Sequence, residues 1–448
     1  MKKRSFSIIF IIFIFLIVLT FCAVGIFGTR PAESVNEKRK LAKFPTLTVQ
    51  GLLNGKFYSG LQTWYADTYP LRETMIAKNS DIQDHYGIGG DKIVTANAVK
   101  KGDKIPVKKK VTAAKTMKIP SSKTASSGAK KPEKKTNSTE TKLNDDADSK
   151  AIQAEPEKVG SIYIAGGSGF SLYYFNRKNV DTYASMVNTV AERLGSSVNV
   201  YAIPTPDSFG AVLSKKTQEK LSQYEGDAFD YIYKRFAKNV NVVEVYNELR
   251  NHSSEYIYFR TDHHWTARGA YYAYRQFCRM KGFTPHELGD YKKQVSKGFL
   301  GTYYSFSRKS PELQKNPDTI EAYIPISTNT MTMTDQNYKK VKYKIIQPGK
   351  SYSVFIGGDE PLEEIDNPKK NDGSACVLIK DSYGCAFAPF LVDHYDKTYI
   401  VDFRYYRDDL TQMIKDKKIK DVIFLNNVEF ITQSNSEKIL SLFKFDRH

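Results

Sequence analysis

Ala375-Cys376-Val377-Leu378-Ile379 runs directly into Lys380-Asp381-Ser382-Tyr383-Gly384. Five apolar residues without a polar interruption fit a strand buried on both faces, the signature of a parallel sheet. The polar stretch after it begins at the strand's carboxyl end, where open α/β sheets bind their ligands. Working outward, Val198-Asn199-Val200-Tyr201-Ala202-Ile203 is a strand that should stop at Pro204. Val242-Val243-Glu244-Val245, Thr398 to Phe403 and Val422 to Leu425 are further strands, and Ser161 to Ile164 is a short one. Helical periodicity marks Val180 to Leu194, one or two helices within Thr217 to Val240, Thr266 to Lys281, Tyr383 to His394 and Leu410 to Lys417. This alternation predicts a mostly parallel sheet with helices on both faces. Residues 285–372 read as irregular and hairpin-like.

The polar residues just past the strand ends are Thr205-Pro206-Asp207-Ser208, Asp381-Ser382-Tyr383, Arg404-Tyr405-Tyr406 and Asn426-Asn427. All would gather on one edge. Far from Ser382, Thr261-Asp262-His263-His264-Trp265 places a carboxylate two residues before an imidazole. In an extended segment that spacing puts Asp262 and His264 on one face and sends His263 the other way. Ser382, His264 and Asp262 then supply a nucleophile, a base and an orienting carboxylate. Backbone amides of Ser382, Tyr383 and Gly384 could hold an oxyanion, with a donor from Asn426, while Arg404 could grip a polar or anionic substrate group. Each has a blander reading. Ser382 alone suits a helix N-cap, the Asp-His pair suits a polar turn, and Arg404 and Asn426 suit local hydrogen bonding. Trp265 could pack in the core or stack on a sugar, and Tyr383 and Tyr405 are candidate sugar platforms. A Cys in place of Trp265 would suggest a lipid-transfer motif; Trp265 excludes it. Asp262, His263 and His264 could be metal ligands, but no third cluster joins them, and neither a metal nor a cofactor is called for.

The termini and composition set the compartment. Lys2, Lys3 and Arg4 precede an apolar run from Ile8 to Phe27, about the 20 residues that span a bilayer. Residues 1–28 are therefore expected to be a retained signal-anchor with the rest of the chain outside the cytoplasm, although Ala23-Val24-Gly25 is a passable cleavage site. Residues 29–99 form a helical segment, with Phe57 to Ala66 and Leu71 to Tyr86 as its helices, expected to pack on a catalytic domain at 159–448. Between them, residues 100–158 hold 16 lysines, 8 acidic residues and no aromatic, so disorder is expected there. That surplus of eight is nearly half of the net charge of +18, so the charge does not argue for nucleic acid. An exported basic chain meets membrane surfaces and acidic polymers instead. Four cysteines, one of them Cys22 in the apolar run, imply no disulfide framework.

Thr261 to Trp265 also resembles the signature of the DHHW family. So do Asn36…Arg39-Lys40-Leu41…Phe44-Pro45, Asp67…Pro70-Leu71-Arg72, Gly301-Thr302, Lys380-Asp381-Ser382-Tyr383 and Asp402-Phe403-Arg404-Tyr405. That family is similar to the SGNH-like alginate O-acetyltransferases. The resemblance implies a flavodoxin-like sheet and a triad of Asp262, His264 and Ser382. It further implies an extracytoplasmic enzyme moving acetyl groups onto a polysaccharide acceptor, with the acyl donor delivered by a membrane-bound O-acyltransferase. An O-acetylesterase with the same triad, a polysaccharide-binding adaptor without catalysis and a metal-dependent hydrolase remain open.

Overall fold

The computed structural model describes residues 19–20, 25, 28–31, 33–34, 39–40, 42–53, 56–70, 102–106, 112–116, 157–159, 162–307, 309–433 and 436–445. The chain divides into two compact units, Met1–Lys92 with Ser305–Ser310, and Ile93–Tyr304 with Pro311–His448. In the first, the expected helix spans Lys56–Asp67 behind a short one at Val49–Leu53. Its apolar spacing puts Trp64 under the Arg30 guanidinium, 4.0 Å from the ring centroid, and edge-on to Phe44. The expected helix from Leu71 to Tyr86 and nearly all of the expected anchor 1–28 lie outside the described residues. Among the described residues no helix is long and apolar enough to cross a membrane.

The second unit is built on an eight-stranded sheet. From edge to edge its strands are Lys340–Tyr343, Thr330–Thr334, Leu362–Asp366, Lys397–Asp402, Ala375–Lys380, Asp421–Asn427, Asn199–Thr205 and Val240–Val242. The last five are mutually parallel; the first three extend them antiparallel. Numbered from Ala375–Lys380 and wrapped through the chain start, the parallel strands read 2-1-3-4-5. That is the flavodoxin order, entered at a different point. The order reverses between Ala375–Lys380 and Asp421–Asn427, so the Ser382 strand borders the switch point even though it comes late in the chain.

Alternate residues of each strand enter different cores. Cys376, Leu378, Ile423 and Leu425 pack against Ala270, Tyr274 and Phe277 of the helix Ala267–Lys281, and against Phe387 of Gly384–Leu391. Val377, Ile379, Val422 and Phe424 pack against Val180, Tyr183 and Val187 of the helix Arg177–Leu194, and against Leu410 and Ile414 of Leu410–Asp416. Burial on both faces explains the uninterrupted apolar runs. Asn176, Thr266 and Asp409 cap their helices by accepting backbone N–H groups, and Gly282 ends Ala267–Lys281 in the left-handed region.

Two expectations change. The strand expected to stop at Pro204 continues through it to Thr205, its ladder with Asp421–Asn427 running on to pair Asn427 with Thr205. Within 100–158, the pieces 102–106 and 112–116 are hydrogen-bonded into the rest of the second unit, so the expectation of disorder does not extend to them. Asp103 N–H donates to the Phe175 carbonyl, Ala114 N–H donates to the Arg235 carbonyl, and the Ala114 carbonyl accepts from Asn188 Nδ2.

Candidate active site

The motif Thr261 to Trp265 is a loop, not an extended segment. An antiparallel bridge between Tyr258 and Trp265 closes it, with Thr266 N–H donating to the Ile257 carbonyl. Buried Asp318 pins its start, accepting the N–H groups of Arg260 at 2.9 Å and Thr261 at 2.7 Å. Trp265 anchors its end; it is fully buried, with Nε1 donating to the Tyr383 carbonyl. This is the core-packing alternative, and it removes Trp265 from any role as a sugar platform.

Within the loop, Asp262 Oδ1 accepts the His264 N–H at 3.0 Å, a local turn that sets the two side chains side by side. The same oxygen lies 2.6 Å from His264 Nδ1. An ionised carboxylate only accepts, so the Nδ1 proton belongs to the ring and leaves Nε2 as a base. Nε2 lies 2.7 Å from Ser382 Oγ. Asp262, His264 and Ser382 thus form one hydrogen-bonded chain, with Ser382 half-buried at its open end. Ser382 is not a helix cap: the following helix starts at Gly384, with Tyr383 at the cap position. Gly384 is required by close approach, since a Cβ there would stand 2.4 Å from Lys380 Cβ.

The other carboxylate oxygen of Asp262 accepts Thr302 N–H at 2.8 Å and Thr302 Oγ1–H at 3.1 Å. Gly301 lets that segment approach, because a Cβ there would fall 2.2 Å from Asp262 Cβ. Burial alone would raise the Asp262 carboxyl. The neighbouring charges of His264 and His263 and the hydrogen bonds from His264 and Thr302 outweigh it and hold Asp262 below the usual carboxylate range.

His263 does not point away as the extended reading required. The loop tucks its ring 3.8 Å from that of His264, with Nδ1 2.6 Å from Thr302 Oγ1. Burial, then repulsion from His264, pushes it down to about 3, so it is neutral at physiological pH. Ligand atoms of Asp262, His263 and His264 lie within 4.8 Å of one another. The two nitrogens of His264 are nevertheless directed at Asp262 and Ser382, which suits proton transfer rather than a shared cation.

The expected oxyanion donors are redistributed. Tyr383 N–H donates to Asp381 Oδ1 at 3.0 Å and Gly384 N–H to the Asp381 carbonyl at 3.1 Å, so neither is available. The turn after the strand turns these amides inward onto Asp381. The N–H of Ser382 has no partner among the described residues. Tyr383 is buried, with its hydroxyl donating to the His263 carbonyl, and is no sugar platform. Asn426 is fully buried; Oδ1 accepts from Tyr183 and Nδ2 is left without a partner among the described residues. Asn427 N–H donates to Asp381 Oδ2 at 2.7 Å, tying two strand ends together. Arg404 is not a free anchor. Nε and Nη2 bond Asp402 at 2.8 and 2.6 Å, and Nη2 also meets Asp359 at 2.8 Å. Tyr405 is half-buried beside it.

The strand-end reading missed Asp318 and Tyr352 altogether and gave Thr302 no role. Only the Gly301-Thr302 pair carried a signal.

Fold and site together define an α/β protein with a Ser–His–Asp arrangement at the switch point of a parallel sheet. The chain belongs to the DHHW family: the model described as DHHW protein matches residues 37–401. A DHHW family protein from Eubacterium siraeum is 33% identical, with a TM-score of 0.60, covering 65% of this chain and 98% of that one. Bacillus cereus PatB1, in a structure with a sulfonyl adduct, is 18% identical with a TM-score of 0.50, over 60% of this chain and 94% of that one. The O-acetyltransferase domain of Pseudomonas putida AlgJ matches at 11% identity and a TM-score of 0.35, over 61% and 90% of the two chains, too slight a likeness to argue from. Comparison with curated protein sequences returned no match.

Proposed function

We propose that this protein is an O-acyltransferase that moves an acyl group, acetyl by preference, onto a polysaccharide of the cell envelope. The observation that carries the reading is the continuous chain from Asp262 through His264 to a half-buried Ser382. Ser382 Oγ attacks the acyl carbonyl as His264 Nε2 takes its proton. The donor's leaving group departs with that proton, giving an acyl-Ser382 ester. A sugar hydroxyl then loses its proton to His264 and attacks the ester, and Ser382 recovers the proton. Asp262 stays ionised and stabilises the imidazolium in both steps. The Ser382 N–H and Asn426 Nδ2 are the donors left for the oxyanion.

Acetyl and polysaccharide rest on the resemblance of this chain's motifs to the DHHW family, which is in turn similar to the alginate O-acetyltransferases. The sulfonyl adduct of PatB1 supports an acylatable nucleophile on this fold. The basic, then apolar, N-terminus supports a membrane anchor beside a membrane-bound O-acyltransferase acting as acyl donor. The test is full-length protein in detergent, given an activated acetyl ester and a panel of wall and capsule oligosaccharides. Mass spectrometry should find acetylated sugar. Acetate release with no sugar product across the panel would favour an esterase, and no turnover with glycan binding an adaptor.

A further inference from the structure

The base of the hydrogen-bonded chain has a second neighbour that no motif announces. Tyr352 lies in the Tyr352–Val354 turn, inside the stretch that reads as irregular. Its ring is parallel to the His264 imidazole, 6° between planes and 3.8 Å between centroids. The His263 ring is also 3.8 Å away but tilted by 37°. The imidazole thus has a parallel ring on its face at Tyr352, while its edge carries the bonds to Asp262 and Ser382.

The placement of Tyr352 is held from several sides. Gln347 N–H donates to the Val354 carbonyl and Ile356 N–H to the Ile345 carbonyl, closing the loop around the Ile346–Phe355 bridge. Phe355 packs edge-on at 5.2 Å, and Phe259 at 6.3 Å. The Tyr352 hydroxyl is buried near the Ala386 backbone amide and makes no hydrogen bond of good geometry among the described residues. What Tyr352 presents to His264 is its ring.

We propose that Tyr352 is a positioning residue for the base: its π-face fixes the plane of His264 and favours the imidazolium formed when Ser382 gives up its proton. This rests on the acyl-transfer reading above. A cation over an aromatic face is attracted by the ring quadrupole, and the attraction grows where water is excluded. Neutral imidazole gains less, so the effect is larger in the transition state than in the resting enzyme. Other groups facing His264 are Asp262, His263, Ser382 and Tyr383, with the charge of Asp359 close enough to couple to it and that of Arg404 acting on His263. None of these presents a ring face parallel to the imidazole.

The experiment measures the rate of Ser382 acylation by 4-nitrophenyl acetate against pH in full-length protein. Tyr352→Phe should match wild type in rate and pH profile. Tyr352→Leu keeps the apolar cover but loses the quadrupole. It should slow acylation about tenfold and move the acid limb down by about half a pH unit. Should the Leu variant fail to fold, fluorinated phenylalanines at position 352 keep the ring's shape and weaken its negative face. The acid limb should then fall stepwise with fluorination. A slowed Leu variant with an unmoved acid limb, a profile insensitive to fluorination, or a Phe variant behaving like Leu would overturn the inference. Ser382→Ala is the separate control: if it is acylated like wild type, the acyl-transfer reading itself is wrong.

Discussion

Two polar clusters share the carboxyl edge of the sheet, two residues apart at the end of one strand, and they are built in opposite ways. Lys380 is fully buried and meets Asp402 and Asp359, each at 3.0 Å, while Arg404 bonds both carboxylates from the side. Two cations face two anions. Burial opposes the charge on Lys380, yet Asp402 and Asp359 keep its ammonium well above its ordinary value. Burial likewise opposes the charge on Asp359, but Lys380 and Arg404 hold it below the usual range. Ser382, by contrast, is half-buried and bonded on one side only, to His264. The first cluster neutralises itself; the second leaves an oxygen open. The difference teaches which polar groups to read as chemistry. Arg404 looked like a substrate anchor by position, but its partners make it part of the closed cluster.

The largest effect expected from breaking this contrast is at its open end. Ser382→Ala should lower acyl transfer by about 10⁴-fold or more, with an unchanged melting temperature. Transfer at the wild-type rate would remove Ser382 from the mechanism. At the closed end the effect should appear in stability instead. Lys380→Met leaves buried Asp402 and half-buried Asp359 to Arg404 alone and should cost about 3 kcal/mol in urea unfolding. A variant as stable as wild type would mean the cluster is solvated.

Acid should separate the clusters as well. The folded-state value of His263, about 3, lies below its ordinary value of about 6.5, so the unfolded chain binds more protons between the two. Its contribution is full above about pH 6.5 and is lost as the pH falls toward 3. Asp262, also depressed, acts in the same sense, with its contribution present above about pH 4 and lost at lower pH. His263→Gln should therefore lose less stability than wild type between pH 7 and pH 4.5 in chemical denaturation, and equal losses would contradict the assignment. Thr302→Val should have the smallest effect. It removes the hydroxyl bonds to Asp262 and to His263 but keeps the amide bond to Asp262, so kcat/KM should fall about fivefold, as for a net hydrogen bond of about 1 kcal/mol to the orienting carboxylate. Thr302→Ser should restore it, and a Ser variant as slow as Val would place the effect in packing.

What the chain discloses by pattern alone follows the same division. Ala375–Lys380 was legible because both of its faces are buried, and Ala267–Lys281 because Thr266 and Gly282 mark its ends. Asp262, His264 and Ser382 were legible because their chemistry constrains their types. The strands Thr330–Thr334, Lys340–Tyr343 and Leu362–Asp366 were not. They are short, and Lys340–Tyr343 is exposed throughout, so no burial pattern marks them. Tyr352 is hidden in the same stretch, because a stacking contact across about 90 residues leaves no periodicity. The amides of Tyr383 and Gly384 were misassigned for another reason. Which way an N–H points after a strand is set by turn geometry, here by Asp381.

The most direct test is to treat full-length wild type and His264→Ala with a sulfonyl fluoride at neutral pH and map the adduct by peptide mass spectrometry. The account predicts rapid, single labelling of wild type at Ser382 and labelling at least a hundredfold slower in the variant, as expected when a serine loses its base. Labelling of Ser382 at equal rates in both proteins, or an unlabelled Ser382 in wild type, would contradict it.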